Sequence, residues 1–194
     1  VRKNGDIWQL YNTGNSQLAD NEVTGIQQAA DGAIWVVNGH GLTKIHNNIW
    51  TTYTSSQIFG GDEDDLGDVF IDASQKIWIT SGYGLKGVAS FDGTTWTVLP
   101  GFADKNIQSV GVNASSTVFL GELFKGMHVV SGGVNYYFPS APDGFPSAQN
   151  FDFNLDKDGN TLWMCNTWGL WEIKSATVGT SELNEVANGV SAFP

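Results

Sequence analysis

The chain has 194 residues, 41% hydrophobic and only 15% charged, enough for one domain with a substantial core. Twenty acidic residues against nine basic ones give a net charge of -11 without any Lys/Arg cluster, which argues against nucleic acid and anionic membrane surfaces as partners. No run reaches the roughly 18 to 20 apolar residues of a membrane span, so membrane insertion is not expected. Eight Trp, eleven Phe, five Tyr and 24 Gly favour strands joined by tight turns over helices.

The first residues, VRKNGDIW, lack the apolar stretch of a signal peptide, which leaves either a cytoplasmic chain or one whose export signal has been removed. DIWQLY at 6 to 11 reads as a strand. After the loop NSQLADNE comes a full unit of four strands: VTGIQQA from Val23, AIWVV after the polar turn AADG, GLTKI after the glycine turn, and NIWTTY at 48 to 53. The pattern returns as VFIDA, KIWIT, GLKGV and TTWTVL, and again as IQSVGVNA, TVFLG, GMHVV and VNYYF. A last unit reads FDFNL, TLWMC and GLWEI and has no fourth strand of its own; the segment 175–194 reads as a tail or linker. Its turn, NLDKDGN, nearly matches the start of a calcium loop but lacks the glutamate and coincides with the Asp-Gly turn of the first unit, so it reads as a hairpin turn.

The glycines that open the third strands, Gly41, Gly84, Gly126 and Gly169, recur at intervals of 42 or 43 residues. A constant period of that size with four short antiparallel strands per unit is the make-up of a propeller blade. The expectation is therefore an all-β protein, a single β-propeller over 1–174 with blades at about 22–53, 66–99, 107–138 and 151–174. The strand at 6–11 is expected to complete the last blade and close the ring, which would remove the open sheet edge. The alternative is part of a larger propeller, or a half-ring completed by a second copy.

The phrases NSQLADNEVTGI, AADGAIWVVNGHGLTKI and NNIWTTY resemble the two-component regulator propeller repeat, tightly in the first unit and more loosely in the third, where Phe119 replaces Trp. The resemblance implies the blade architecture. In that family the repeats build periplasmic sensor domains of hybrid two-component systems that respond to polysaccharide fragments, and they also occur in secreted surface proteins of Bacteroidetes-type bacteria. The sequence holds no kinase or DNA-binding part, so the signalling role is not carried over. The tail ELNEVANGVSAFP resembles the linker before a type IX sorting domain, which implies export to the cell surface, with a periplasmic location as the alternative.

On one face of such a propeller lie the loops between second and third strands. The residues just before the turn glycines are His40, Tyr83, Lys125 (after Phe124) and Trp168, a ring of planar or cationic side chains that would suit sugar faces or apolar partners, with Asn38 and Asn166 as nearby amides. The loop GGDEDDLGD adds Asp62, Glu63, Asp64, Asp65 and Asp68. Calcium is the one cofactor these residues suggest, through Asp62, Asp64 and Asp65, although no fixed ligand spacing is visible and a solvated acidic loop explains them as well. The histidines His40, His46 and His128 show no metal-type spacing, and no catalytic motif is present. Cys165, the single cysteine, reads as a buried structural thiol.

Taken together, the sequence reads as a secreted or cell-surface binding or protein-interaction module without catalysis, its partner a glycan or a surface protein. The rival readings are an accessory subunit of an outer-membrane, motility or secretion assembly, and a propeller-type polysaccharide lyase or hydrolase whose acids come from separate loops.

Overall fold

A computed structural model describes residues 2–4, 7–62, 65–140, 152–156, 161–166 and 169–174. The first blade is the sheet β3 (Val23–Gln28), β4 (Ile34–Asn38), β5 (Gly41–His46) and β6 (Ile49–Tyr53), which follows β1 (Arg2–Asn4) and β2 (Ile7–Gln9). The second comprises β7 (Val69–Ile71), β8 (Ile77–Thr80), β9 (Val88–Phe91) and β10 (Trp96–Val98). The third comprises β11 (Ile107–Val112), β12 (Val118–Glu122), β13 (Gly126–Ser131) and β14 (Val134–Pro139). The fourth blade has three strands among the described residues, β15 (Asp152–Leu155), β16 (Thr161–Asn166) and β17 (Gly169–Lys174). All pairings are antiparallel between chain neighbours, and the four sheets are arranged as the blades of a β-propeller with β3, β7, β11 and β15 side by side as the inner strands.

Polar turns of the same build hold the first two strands of the second and third blades together. In the second blade Asp72 Oδ1 accepts from the N–H groups of Ser74 and Lys76, at 2.8 and 3.0 Å, while its Oδ2 accepts from the buried indole Nε1 of Trp78 at 2.9 Å. In the third, Asn113 Oδ1 accepts from Ser115 and Thr117 N–H, both at 3.0 Å. A short side chain that folds back on its own backbone is what makes Asp and Asn turn residues here.

Alternation along the strands gives each blade two apolar faces, and successive blades join through three cores. The first packs Trp35, Val37 and Leu42 of the first blade against Val69, Ile77, Ile79 and Ala89 of the second. The second sets Phe70 and Trp78 against Val110, Val112, Val118 and Leu120. The third sets Phe119, Met127 and Val129 against Phe153, Leu162 and Met164. Around the first core Trp35 and Tyr53 stack at 6.0 Å and Phe91 and Trp96 at 4.7 Å, so the large aromatic content is spent on holding blades together.

Three expectations from the sequence need correction, and one element, a short helix, was not foreseen. The third strand of the second blade, expected to open at Gly84, opens at Val88; Gly84 ends a 3-10 turn, Gly82–Gly84. β2 pairs with β1, Asn4 opposite Ile7, and does not complete the last blade; a local hairpin closes a far shorter loop than a pairing between chain ends. Cys165 is exposed, because alternation along β16 turns Leu162 and Met164 toward the third blade and Cys165 the other way. A five-residue helix, α1 (Ser55–Phe59), follows the first blade: Thr54 and Gln57 form a reciprocal capping box that starts it, and Ile58 anchors it in the first core. The segment 175–194, Glu63, Asp64, Trp168 and most of the NLDKDGN turn lie outside the described residues.

Candidate functional site

The inner strands enclose an axial cavity of about 740 Å³. Pairing register defines which residues are equivalent: Ile26 lies opposite Val36, Val69 opposite Ile79, Val110 opposite Leu120 and Phe153 opposite Met164. The residue before each of these is Gly25, Asp68, Ser109 and Asp152. Strand bulges lie just upstream in β3 and β11, at Thr24 and Gln108. A bulge inserts an extra residue and re-aims the local side chains, and Thr24, Asp68, Gln108 and Asp152 all line the cavity.

Hydrogen bonds between blades fix this ring. Thr24 Oγ1 donates to Gly67 O at 3.0 Å, tying the first blade to the second. Asp68 Oδ2 accepts from Val110 N–H at 3.3 Å, tying the second to the third, while the Asp68 N–H donates to Thr80 Oγ1 at 2.8 Å. Burial, reinforced by the negative charge of Asp152, pushes the Asp68 carboxyl up to about 7, against the N–H groups of Val110 and Val69 that favour its charged form. Burial also raises the Asp152 carboxyl above its ordinary value, opposed by the Phe153 N–H.

The rim is built from turns. Asp20 Oδ1 accepts from Glu22 N–H at 2.8 Å, which holds this carboxyl below its usual range against the effect of burial, and its Oδ2 lies 2.8 Å from His40 Nδ1. The acidic loop reaches the same rim: Leu66 N–H donates to Gly39 O at 3.3 Å, and Asp65 lines the cavity beside Tyr83. Asp20, Glu22, Asp65, Asp68 and Asp152 thus give the cavity five carboxylates, with no Lys or Arg among its described lining residues.

Of the residues singled out in the sequence, His40 and Tyr83 meet at this cavity, both exposed. Phe124 and Lys125 are exposed on the third-blade turn, where Phe124 takes the left-handed conformation (φ 57°), and neither is among the cavity's lining residues. Asn38 is fully buried: its Oδ1 accepts from His40 N–H at 3.1 Å, a turn-forming role, and its Nδ2 finds no hydrogen-bond partner among the described residues. Asn166 Oδ1 accepts from Trp171 Nε1 at 3.2 Å. Asp62 is exposed, its carbonyl oxygen accepting from Lys86 Nζ, and no group of three or more His, Cys, Asp or Glu side chains suited to a metal ion occurs among the described residues. Sequence reasoning overlooked Thr24, Gln108 and Asp152. Their signal was available as the polar residue that precedes the buried apolar stretch of each inner strand.

No family model matches the chain, and no curated protein sequence matches it. Among solved structures it is similar to the extracellular domain of a protein described as a hybrid two-component system from B. thetaiotaomicron, at 15% identity and a TM-score of 0.65 over 92% of this chain and 24% of that one. It is also similar to a streptogramin B lyase, at 14% identity and a TM-score of 0.61 over 83% of this chain and 54% of the lyase. An auxiliary nutrient binding protein from Bacteroides ovatus matches at 8% identity and a TM-score of 0.61, over 81% of this chain and 39% of that one. The likeness defines the class, a β-propeller. The chain spans between about a quarter and about half the length of these proteins.

Proposed function

We propose that this chain is a non-catalytic, extracellular or cell-surface binding module whose ligand, a neutral or amino-bearing glycan, enters the axial cavity. One observation carries the reading: inner strands from all four blades supply Thr24, Asp68, Gln108 and Asp152 to a single cavity of about 740 Å³, with Tyr83 at the same cavity. Carboxylates and an amide accept and donate to sugar hydroxyls, and the exposed Tyr83 ring offers a face to sugar C–H groups. Five acidic side chains with no Lys or Arg among the described lining residues disfavour uronic and sulfated sugars. Similarity to extracellular domains and to a nutrient binding protein supports this reading, as does the resemblance of the repeats to two-component regulator propellers in secreted Bacteroidetes-type proteins.

Calorimetric titration with neutral, amino and uronic oligosaccharides tests it. Neutral or amino sugars should bind, and Tyr83→Ala should weaken binding about tenfold, since packing a ligand on an aromatic face is worth on the order of 1 kcal/mol or more. Preference for uronic sugars, or a Tyr83→Ala variant that binds as the parent does, would overturn it.

A second reading, catalysis on a polysaccharide, rests on the Asp68 carboxyl: buried on the inner strand equivalent to that of Asp152 and raised to about 7, it pairs a group that exchanges its proton near neutrality with a second carboxyl, the arrangement that acid–base chemistry uses. Release of reducing ends or unsaturated sugars by the parent chain, abolished in Asp68→Asn, would replace the binding reading.

A further inference from the structure

The inner strands repeat one position four times: Gly25, Asp68, Ser109 and Asp152 each precede one of the register-equivalent residues Ile26, Val69, Val110 and Phe153. Ser109 is fully buried and is not among the cavity's lining residues, so this level of the cavity carries two carboxyl groups and a glycine. Asp68 Oδ2 accepts from Val110 N–H, while its Oδ1 lies toward Gly25, where an added Cβ would stand 3.7 Å from it and 2.9 Å from Val37 Cγ1. Glycine thereby leaves the space beside Oδ1 open. The side-chain donors next to the pair are committed elsewhere: Thr24 Oγ1 donates to Gly67 O at 3.0 Å, and Gln108 Nε2 donates to Asn106 Oδ1. With no Lys or Arg among the described lining residues, the protein supplies acceptors at this level, and a ligand that fits it has to supply donors. An ammonium group offers three donors and no acceptor, a hydroxyl offers one donor, and an N-acetyl group is neutral and adds an acceptor.

We infer that the cavity selects a primary ammonium group placed between the Asp68 and Asp152 carboxyls, so that its ligand is an oligosaccharide with a free amine and not the N-acetylated form. The inference rests on the axial cavity being the glycan site. It also couples recognition to protons. Burial and the charge of Asp152 keep Asp68 protonated up to about pH 7, and a cation seated between the two carboxyls offsets both effects. Apart from His40, which is paired with Asp20 at 2.8 Å, the titratable groups that line the cavity with Asp68 are all acids: Asp152 of β15, Glu22 ahead of β3, Asp20, Asp65 and Tyr83. Below about pH 7 the arriving ammonium therefore displaces a proton: the Asp68 O–H bond breaks, the proton leaves to solvent, and the remaining carboxylate pairs with the cation.

Calorimetric titration of the parent chain at about pH 6, in two buffers of different ionisation enthalpy, counts the protons released. A glucosamine oligosaccharide should release about one proton per chain and bind at least about tenfold more tightly than its N-acetylated counterpart of the same length, which should release none. Asp68→Asn and Asp152→Asn, each checked for folding by circular dichroism, should bring the ratio of the two affinities toward one, and Asp68→Asn should abolish the release. The proton count is read on the parent chain and stands without either variant. Equal binding of the two forms with no proton released overturns the inference and leaves the cavity a glycan site, whereas binding of neither form nor of a neutral sugar overturns that reading as well. A preference for the amine that survives in both variants places the ammonium at the rim carboxylates Asp20 and Asp65 and overturns the placement between the pair.

Discussion

Asp68 and Asp152 occupy equivalent positions on the inner strands of the second and fourth blades, and the charge of Asp152 opposes ionisation of Asp68. The pair couples the state of the cavity to pH. Because the folded-state carboxyl of Asp68 is raised to about 7 from 3.8, the folded chain binds more protons than the unfolded one between those values. Stability contributed by this group is therefore present below about pH 4, declines as pH rises to about 7 and is then level, by on the order of 4 kcal/mol at most. Denaturant titrations from pH 4 to 8 should show that decline, and Asp68→Asn should flatten it; an unchanged slope in the variant would assign the dependence to other groups.

Tyr83 and the pair Phe124 and Lys125 separate the cavity from the rest of the turn face. Ligand affinity should fall with Tyr83→Ala and stay within a factor of two for Phe124→Ala and Lys125→Ala, because only Tyr83 lines the cavity. Titration of the three variants with the sugar that binds the parent chain checks this; a loss in the third-blade variants would extend the site across the turns.

The second-blade turn offers a test of how a blade is held. Asp72→Ala leaves the buried Trp78 indole N–H and two turn N–H groups without their acceptor, at a cost of about 2–3 kcal/mol. Combining it with Trp78→Phe in a double-mutant cycle should recover part of that cost, since the orphaned donor is then gone. Chemical denaturation of the four proteins gives the coupling energy.

Phe153 is the largest fully buried side chain that the fourth blade contributes to the third core. Phe153→Ala should cost about 3–5 kcal/mol. Hydrogen exchange should show the lost protection concentrated in β15–β17 and the facing strands β11–β13, with the first and second blades largely unaffected, because each core joins only neighbouring blades. Uniform loss of protection would show that the blades unfold as one unit.

The blades themselves were legible along the chain. Trp35, Trp78, Phe119 and Trp163 recur with a turn glycine after each, and alternation within ten residues is enough to specify a strand and its two faces. His40 was legible for the same reason, as a variable residue beside a turn glycine, whereas Tyr83 sits in a 3-10 turn, Gly82–Gly84, ahead of a strand that opens only at Val88. The N-terminal strand was misassigned because strand character says nothing about the partner, and β1 lay nearest.

Sequence alone determined the unit, its period and the composition of its faces, since these are local consequences of side-chain spacing. Tertiary structure decided the cavity. Thr24, Asp68, Gln108 and Asp152 meet only when inner strands some forty residues apart are set side by side, and the burial of Asp68 that raises its pKa arises from that meeting.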